Sequence, residues 1–451
     1  MKTIIIGAGK IGYSIAQMLS AENHDVVVIE HNEDRVEIIR EQLDVKVLHG
    51  NGASWVTLEA AGLKTADMVV AVTEEDELNM IACHMAKKFG VKTTVARVRN
   101  PQYVESAPHY SPEEMFGIDL IINPERVTAK EIFKIVKNPE ANNIDFFADG
   151  RVELIELPID KTSKLAGKKI KTLDTSLYVI VAILRERRTI VPGGEDELLP
   201  GDRVYIMANA NNISSILELI GIKRKKAQQI TILGAGRTGY YLVNMIEESK
   251  LPVRVKLIEK NPKRAREVSG KLKNALIIQG DGSDLELLQA ENIGQSDLFV
   301  AVTDDDKLNL LSSLIAKNLG VTKTVCKIKR SDIVPLIEQV GIDVVLSPRV
   351  LSAGAILRYI RKGSILSVTV LGEERAEMIE LIAQPGSIAV GKQLKNIDFP
   401  NGSIIGAIVR NDQVIVPEGL SEIKTYDRLM VFTISKSIRI IEKLFASEGQ
   451  R

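Results

Sequence analysis

Two short stretches carry residue types and spacings that could hold a phosphate. One is Ile4-Ile5-Ile6 followed by Gly7-Ala8-Gly9-Lys10-Ile11-Gly12; the other is Ile230-Thr231-Ile232-Leu233 followed by Gly234-Ala235-Gly236-Arg237-Thr238-Gly239. An apolar run that ends in Gly-x-Gly-x-x-Gly and passes into a helical pattern turns a buried parallel strand into a helix over a pyrophosphate. The first glycine permits the turn, the second lets backbone approach the ligand, and the third lets the helix pack on the strand. The open N–H groups and positive end of that helix then face the anion. Lys10 and Arg237 stand just after the second glycine. A basic side chain there either reaches the outer phosphates of a di- or triphosphate or points into solvent.

The same landmarks follow each loop. Glu30 and Glu259 each end an apolar run about twenty residues beyond the glycines. A carboxylate at that spacing accepts both ribose hydroxyls and repels a 2′-phosphate, favouring NAD-type or adenosine ligands over NADP; a helix-capping acid is the alternative. Gly50-Asn51-Gly52-Ala53 and Gly280-Asp281-Gly282-Ser283 follow the third strand. Small residues there let an adenine lie against backbone, and Asn51 or Asp281 could accept from its amino group. Thr73 and Thr303 end the fourth strand at the sheet edge that holds ligands in such folds. Of the acids after them, Glu74 and Asp304 are placed to reach a ligand through backbone, while the rest suit a helix N-terminus. Arg97, Arg99, Lys327 and Lys329 close the fifth strand and offer cations to phosphate or to surface salt bridges.

The elements that must position these residues occur twice. Gly7 and Gly234 are 227 residues apart, Glu30 and Glu259 are 229 apart, and 67–79 meets 297–309 at 230 with eight of thirteen positions identical. The offset then falls to 224 at Gly117 and Gly341, because the first copy carries about six extra residues around Pro108 to Pro112. Within the first copy, apolar strands over 3–6, 26–30, 46–48, 68–72, 94–98 and 120–122 alternate with helical stretches. That alternation implies a parallel sheet covered on both faces. A helix over 126–138 follows, with Val127, Ile132, Phe133 and Val136 on one stripe. From about Ile144 the pattern shortens: strands over 152–157, 179–185, 189–191 and 204–207, a turn over 186–188 and a closing helix over 211–220. The second copy repeats this small unit over 377–445, and the basic run Lys223 to Lys226 reads as a solvated linker. The expected class is α/β. Two tandem modules each have a doubly wound parallel sheet over 1–138 or 230–362, then a small α+β subdomain over 139–221 or 363–451, with 222–229 as linker.

Other classes are excluded by what is missing. With 59 basic and 59 acidic residues there is no general pull toward nucleic acid. No apolar run approaches the roughly 18–20 residues of a membrane span, the chain enters a strand directly with no expected secretory leader, and Cys83 and Cys326 fit a reducing compartment. None of the nine tyrosines has a lysine four residues on, the five histidines show no metal spacing, and no nucleophile elbow or Walker loop occurs. A duplicated nucleotide fold without reaction machinery suggests sensing, in which a ligand biases a conformational equilibrium. The alternative is an NAD-dependent oxidoreductase with an unrecognised catalytic site. A redox-sensing repressor would need a DNA-reading helix-turn-helix, for which the start of the chain leaves no room.

The ordered set Gly7 to Gly12, Glu30, Gly50 to Ala53, Ala71 to Thr73, Ala96 to Arg99 and Asn123-Pro124-Glu125, repeated in tandem, resembles the TrkA family of Trk potassium-uptake regulators. The unit ending Leu199 to Val204 and its partner ending Asp427 to Leu429 share the resemblance, which spans the chain as two tandem RCK modules, each a Rossmann-like TrkA-N domain plus a TrkA-C domain. It implies a cytoplasmic regulatory subunit, peripheral on the inner face of the membrane, that binds NAD(H) or ATP/ADP and gates a TrkH/TrkG-type potassium channel. It also implies a homotetramer of eight modules. In related regulators the acid of the Asn-Pro-Glu turn helps hold a divalent cation near a nucleotide phosphate, often across a dimer contact. Glu125 matches that position, and Ser347-Pro348-Arg349 breaks it in the second copy.

Overall fold

The computed structural model describes residues 1–21, 23–104, 112–139, 143–186, 188–221, 227–330, 333–360, 365–371, 376–434 and 437–447. The insertion around Pro108 and the basic run Lys223 to Lys226 lie outside the described residues, apart from Pro112.

The first copy opens with β1 (Lys2–Ile6), β2 (Asp25–Glu30), β3 (Lys46–His49), β4 (Met68–Ala71), β5 (Thr93–Arg97) and β6 (Leu120–Ile122). They form one sheet in the order β3-β2-β1-β4-β5-β6, every neighbour parallel. Ile4, Ile5, Val28, Val69 and Val70 are all 0% exposed, so both faces are covered, which is why these strands are continuous apolar runs. Strand order reverses between β1 and β4, and ligands of such sheets bind outside the carboxyl ends at that point.

A helix over Pro124–Lys137 leads to β7 (Asn143–Phe147), β8 (Val152–Pro158), β9 (Tyr178–Arg185), β10 (Arg188–Ile190) and β11 (Arg203–Asn209), an antiparallel sheet in the order β10-β9-β11-β8-β7. β7 was not among the expected strands. It is an edge strand whose polar Asp145 is buried by pairing with Lys134 at 2.8 Å, so its burial is invisible to an apolar pattern.

The second copy repeats the plan. β12 (Gln229–Leu233), β13 (Arg254–Glu259), β14 (Leu276–Gln279), β15 (Leu298–Ala301), β16 (Lys323–Lys327) and β17 (Val344–Leu346) form a parallel sheet in the matching order. β18 (Ile365–Leu371), β19 (Ala376–Ile382), β20 (Ser403–Arg410), β21 (Gln413–Ile415) and β22 (Arg428–Ile434) form the second antiparallel sheet. The expected α/β class with two tandem modules is the observed one.

The chain divides into two compact units: Met1–Ile132 with Gln229–Leu357, and Phe133–Gln228 with Arg358–Arg451. Like therefore packs with like. In the unit of parallel sheets, Arg349 reaches from the second copy to Ser14 of the first, Nε donating to Oγ at 2.7 Å. In the unit of antiparallel sheets one core is shared: Phe147, Leu154, Val181 and Met207 of the first copy cluster with Met378, Ala407, Met430 and Phe432 of the second. A Cβ on Gly406 would lie 2.7 Å from both Met207 Sδ and Val181 Cγ1, so only glycine lets the sheets approach this closely. Arg428 closes the edge, bonding Asp149 at 2.7 Å and Glu380 at 2.5 Å. Among the described residues no helix is long and apolar enough to cross a membrane.

Candidate functional site: two glycine clefts

Each glycine loop has the shape a phosphate requires. Gly7 and Gly234 have φ of +91° and +101°, and a Cβ there would press on Thr73 or Thr303. A Cβ on Gly12 would lie 1.9 Å from the Gly7 carbonyl oxygen, and one on Gly239 2.0 Å from that of Gly234. The middle glycines differ in kind. Around Gly9 the nearest atom to a Cβ is Arg35 Nη1 at 3.9 Å, and around Gly236 nothing lies within 4 Å. The protein itself has room for a side chain at Gly9 and Gly236, so their bareness serves what enters the cleft. The helices Lys10–Ala21 and Arg237–Glu248 begin directly behind. Lys10 and Arg237 are exposed, with no side-chain hydrogen bond among the described residues, and remain available to an anion. Ala8, Ile11, Ala235 and Thr238 complete the loops, Ala8, Ala235 and Thr238 buried.

The acids that end the second strands, Glu30 and Glu259, are held by the glycine loops. Glu30 Oε2 accepts the Ala8 N–H at 2.6 Å, and its Oε1 accepts the N–H groups of His31 and Asn32 at 2.9 Å each. Glu259 repeats this with Ala235 at 2.9 Å and Asn261 at 2.8 Å. The carboxylate therefore fixes the glycine loop. Glu30 is 2% exposed and bears His31 Nδ1 at 3.0 Å, whereas Glu259 is half-buried and lines a cavity. On the third-strand loops Gly52 and Gly282 pack on Ile6 and Leu233. Asn51 Oδ1 accepts from Ala53 N, and Asp281 Oδ1 from Ser283 N and Oγ. Asp281 Oδ2 is also taken, by Lys260 Nζ at 2.7 Å, and this hydrogen bond holds the Asp281 carboxyl down to about 2.

Behind Thr73 and Thr303 lie two residues to which the sequence assigned no role. Asn79 and Asn309 are 0% exposed. Asn79 Oδ1 accepts from Thr73 N and Oγ1, and its Nδ2 donates to the carbonyls of Thr73 and Arg97, locking the ends of β4 and β5 together. Asn309 makes the same four bonds to Thr303 and Lys327. The signal was present, since the asparagine is identical in both copies. Glu74 is exposed, and Arg97 turns inward to the Thr73 carbonyl at 2.6 Å.

The second cleft opens into a cavity of about 720 Å³, within the roughly 300–1,000 Å³ of small-ligand sites. Gly234, Gly236, Arg237, Thr238, Glu259, Gly282, Thr303, Asp304 and Lys327 line it. Arg99 and Glu125 of the first copy line it too, so this wall comes from the other half of the chain. Glu125 Oε1 accepts from Arg99 Nε at 2.8 Å and Nη2 at 2.5 Å, while its buried Oε2 has no partner among the described residues. Burial holds the Lys327 ammonium below its usual range, against the attraction of Asp304 at 3.3 Å.

A divalent cation at Glu125 does not fit this donor set. Glu125 supplies one open oxygen beside the Arg99 guanidinium and faces a cavity also lined by Arg237, Lys260 and Lys327. No group of three His, Cys, Asp or Glu converges among the described residues. The surroundings suit an anion, with Oε2 left to accept an N–H or O–H.

Two six-stranded parallel sheets with glycine loops at their switch points, each followed by an antiparallel lobe, define a tandem Rossmann-like protein. The TrkA-N domain model matches residues 3–124 and 230–348, and the TrkA-C domain model matches 154–221 and 378–446. "Trk system potassium uptake protein TrkA homolog 2" of Methanosarcina mazei is 38% identical over 453 residues, covering 99% of this chain and 100% of the relative. "Trk system potassium uptake protein TrkA" of Vibrio alginolyticus is 33% identical over 454 residues, covering 99% and 98%. Among solved structures, the GsuK channel bound to NAD superposes with a TM-score of 0.62 at 18% identity, over 100% of this chain and 79% of that one. The chain belongs to the TrkA family of Trk-system potassium uptake proteins. That membership sets it among the potassium-uptake regulators and not among enzymes.

Proposed function

We propose that the chain is a nucleotide-sensing subunit of a potassium uptake system, with NAD(H) or ATP/ADP bound at the two glycine clefts and the ligand state passed to a TrkH/TrkG-type membrane channel. The phosphates lie on Gly7 to Gly12 and Gly234 to Gly239, the riboses toward Glu30 and Glu259, and the adenines toward Asn51 to Ala53 and Asp281 to Ser283. Boundaries at 138/139 and 362/363 separate each nucleotide domain from its smaller partner. The subunit works on the cytoplasmic side, peripheral to the membrane, as a homotetramer.

One observation carries this reading: a side chain would fit at Gly9 and Gly236 as far as the described residues are concerned, yet both are bare beside exposed Lys10 and Arg237, which have no partner among those residues. Solved GsuK structures bound to NAD and to ADP, the latter at a TM-score of 0.50, support a nucleotide as occupant. To act on a channel, each ligand must favour one arrangement by about 1–3 kcal/mol. Native mass spectrometry of the purified protein tests subunit count and co-purified nucleotides together. Four chains carrying adenine nucleotides are expected. A protein that neither retains nucleotide nor takes up NAD, ADP or ATP at millimolar concentration by calorimetry would end this reading.

A further inference from the structure

Each copy reaches across to the other, and at one matched position the crossing residues have opposite charge. Glu125 follows the proline that opens the helix Pro124–Lys137, and Arg349 follows the proline that opens Pro348–Ile360. They are 224 residues apart, the offset that relates this part of the two copies. Glu125 lines the second cleft, alongside Gly236 and Arg237. Arg349 makes the reciprocal crossing: its Nε donates to Oγ of Ser14, which in turn donates to the Lys10 carbonyl one turn back toward the first glycine loop. Among the described residues the Arg349 Nη atoms have no hydrogen-bond partner. The position of Ser14 is taken in the second copy by Tyr241, 227 residues on, so the first cleft has a short hydroxyl where the arginine crosses.

The charge balance differs accordingly. The second cleft receives Arg99 and Glu125 as a neutral pair from its neighbour. The first receives Arg349 with no acid paired to it among the described residues, and Lys329, the counterpart of Arg99, is turned back to the Asp304 carbonyl at 2.7 Å. We propose that Arg349 is the phosphate clamp of the first cleft: a guanidinium from the second copy that takes the terminal phosphate of a nucleoside di- or triphosphate held on Gly7 to Gly12. This rests on the reading of the first loop as a nucleotide cleft. Arginine binds phosphate oxygens through two parallel N–H donors, and an Nε fixed on Ser14 orients that fork in advance. The first site then discriminates by phosphate charge, and its occupancy draws on the register between copies.

The test uses the full chain carrying Gly236→Asp, so that only the first cleft titrates, with calorimetry of ADP and of adenosine. Arg349→Gln should weaken ADP about tenfold or more while leaving adenosine unchanged, and Arg349→Lys should recover part of the loss. Ser14→Ala, which removes the anchor and keeps the charge, should cost less than Arg349→Gln. The ADP difference should shrink at 1 M salt, where the Debye length is about 3 Å. Equal losses for ADP and adenosine, or no loss, would overturn the clamp while leaving the cleft standing. A parent chain that binds neither ligand would overturn both the cleft and the clamp.

Discussion

The two glycine clefts have the same floor and different walls. Strand order, the crowded outer glycines, the open middle glycine, the acid on the loop N–H and the buried asparagine recur in both. The differences gather where the other copy contributes, Arg99 with Glu125 on one side and Arg349 on the other, and just past the second strand, where His31 stands against Lys260. A cradle tolerates little change because backbone makes it, whereas a wall borrowed from a neighbour alters with one side chain.

The comparison can be broken most forcefully at its shared part. Gly9→Asp with Gly236→Asp should reduce nucleotide binding by more than about a hundredfold, since a carboxylate on each loop would take the space of the phosphates and repel them, and circular dichroism melts should stay close to wild type. Each single substitution should remove one of two binding events in calorimetry. If one substitution removes both, the clefts do not act separately. Next in size, Asn79→Ala and Asn309→Ala should each cost about 1–3 kcal/mol in urea unfolding, because buried backbone groups lose their partners. A clear inequality between them would show that the two floors are not equivalent.

A finer test sits on the borrowed wall. Glu125→Gln should raise the affinity of the second cleft for ADP about three- to tenfold by releasing Arg99 for phosphate, leaving the first cleft unchanged in the Gly236→Asp background. A fall in affinity would instead mean that Glu125 itself contacts the ligand. The smallest effect belongs to the Lys260–Asp281 pair. Asp281 is held down to about 2 from 3.8, so its stabilising contribution is full above the unfolded value and fades as pH falls toward 2. Lys260→Ala should return the Asp281 carboxyl toward 3.8 in an NMR titration, and the contribution should then fade at higher pH. The first copy, with His31 at this position, offers no such pair for comparison.

How much of this was legible in the sequence depended on whether the constraint was local. The strands β1 to β6 were, because burial on both faces writes an unbroken apolar run, and so was the glycine loop, because three spacings are fixed by one turn. β7 was not, because Asp145 is buried through an ion pair with Lys134. The hold of Glu30 on the Ala8 N–H was hidden in a different way: the acid was found by its spacing, but a carboxylate facing a ribose and one tying down a loop leave the same letter. The role of Asn79 was missed although the residue repeats, since its four bonds tie Thr73 to Arg97, 24 residues apart in sequence. The crossing of Arg99 and Glu125 into the second cleft has no local mark at all. The family resemblance placed an acid across a contact, but the identity of its neighbours came only with the fold.

The common core of the antiparallel lobes has a consequence for how the molecule is inherited. With Gly406 laid against Met207 and Phe432 in one cluster with Phe147, neither half could leave without baring a sheet face. The polypeptide thus behaves as a homodimer whose partners have been joined and can no longer separate. A true homodimer must present the same wall to both clefts, because one gene writes both; this chain writes each wall independently, and that freedom is what lets Glu125 line one cleft while Arg349 crosses to Ser14 beside the other.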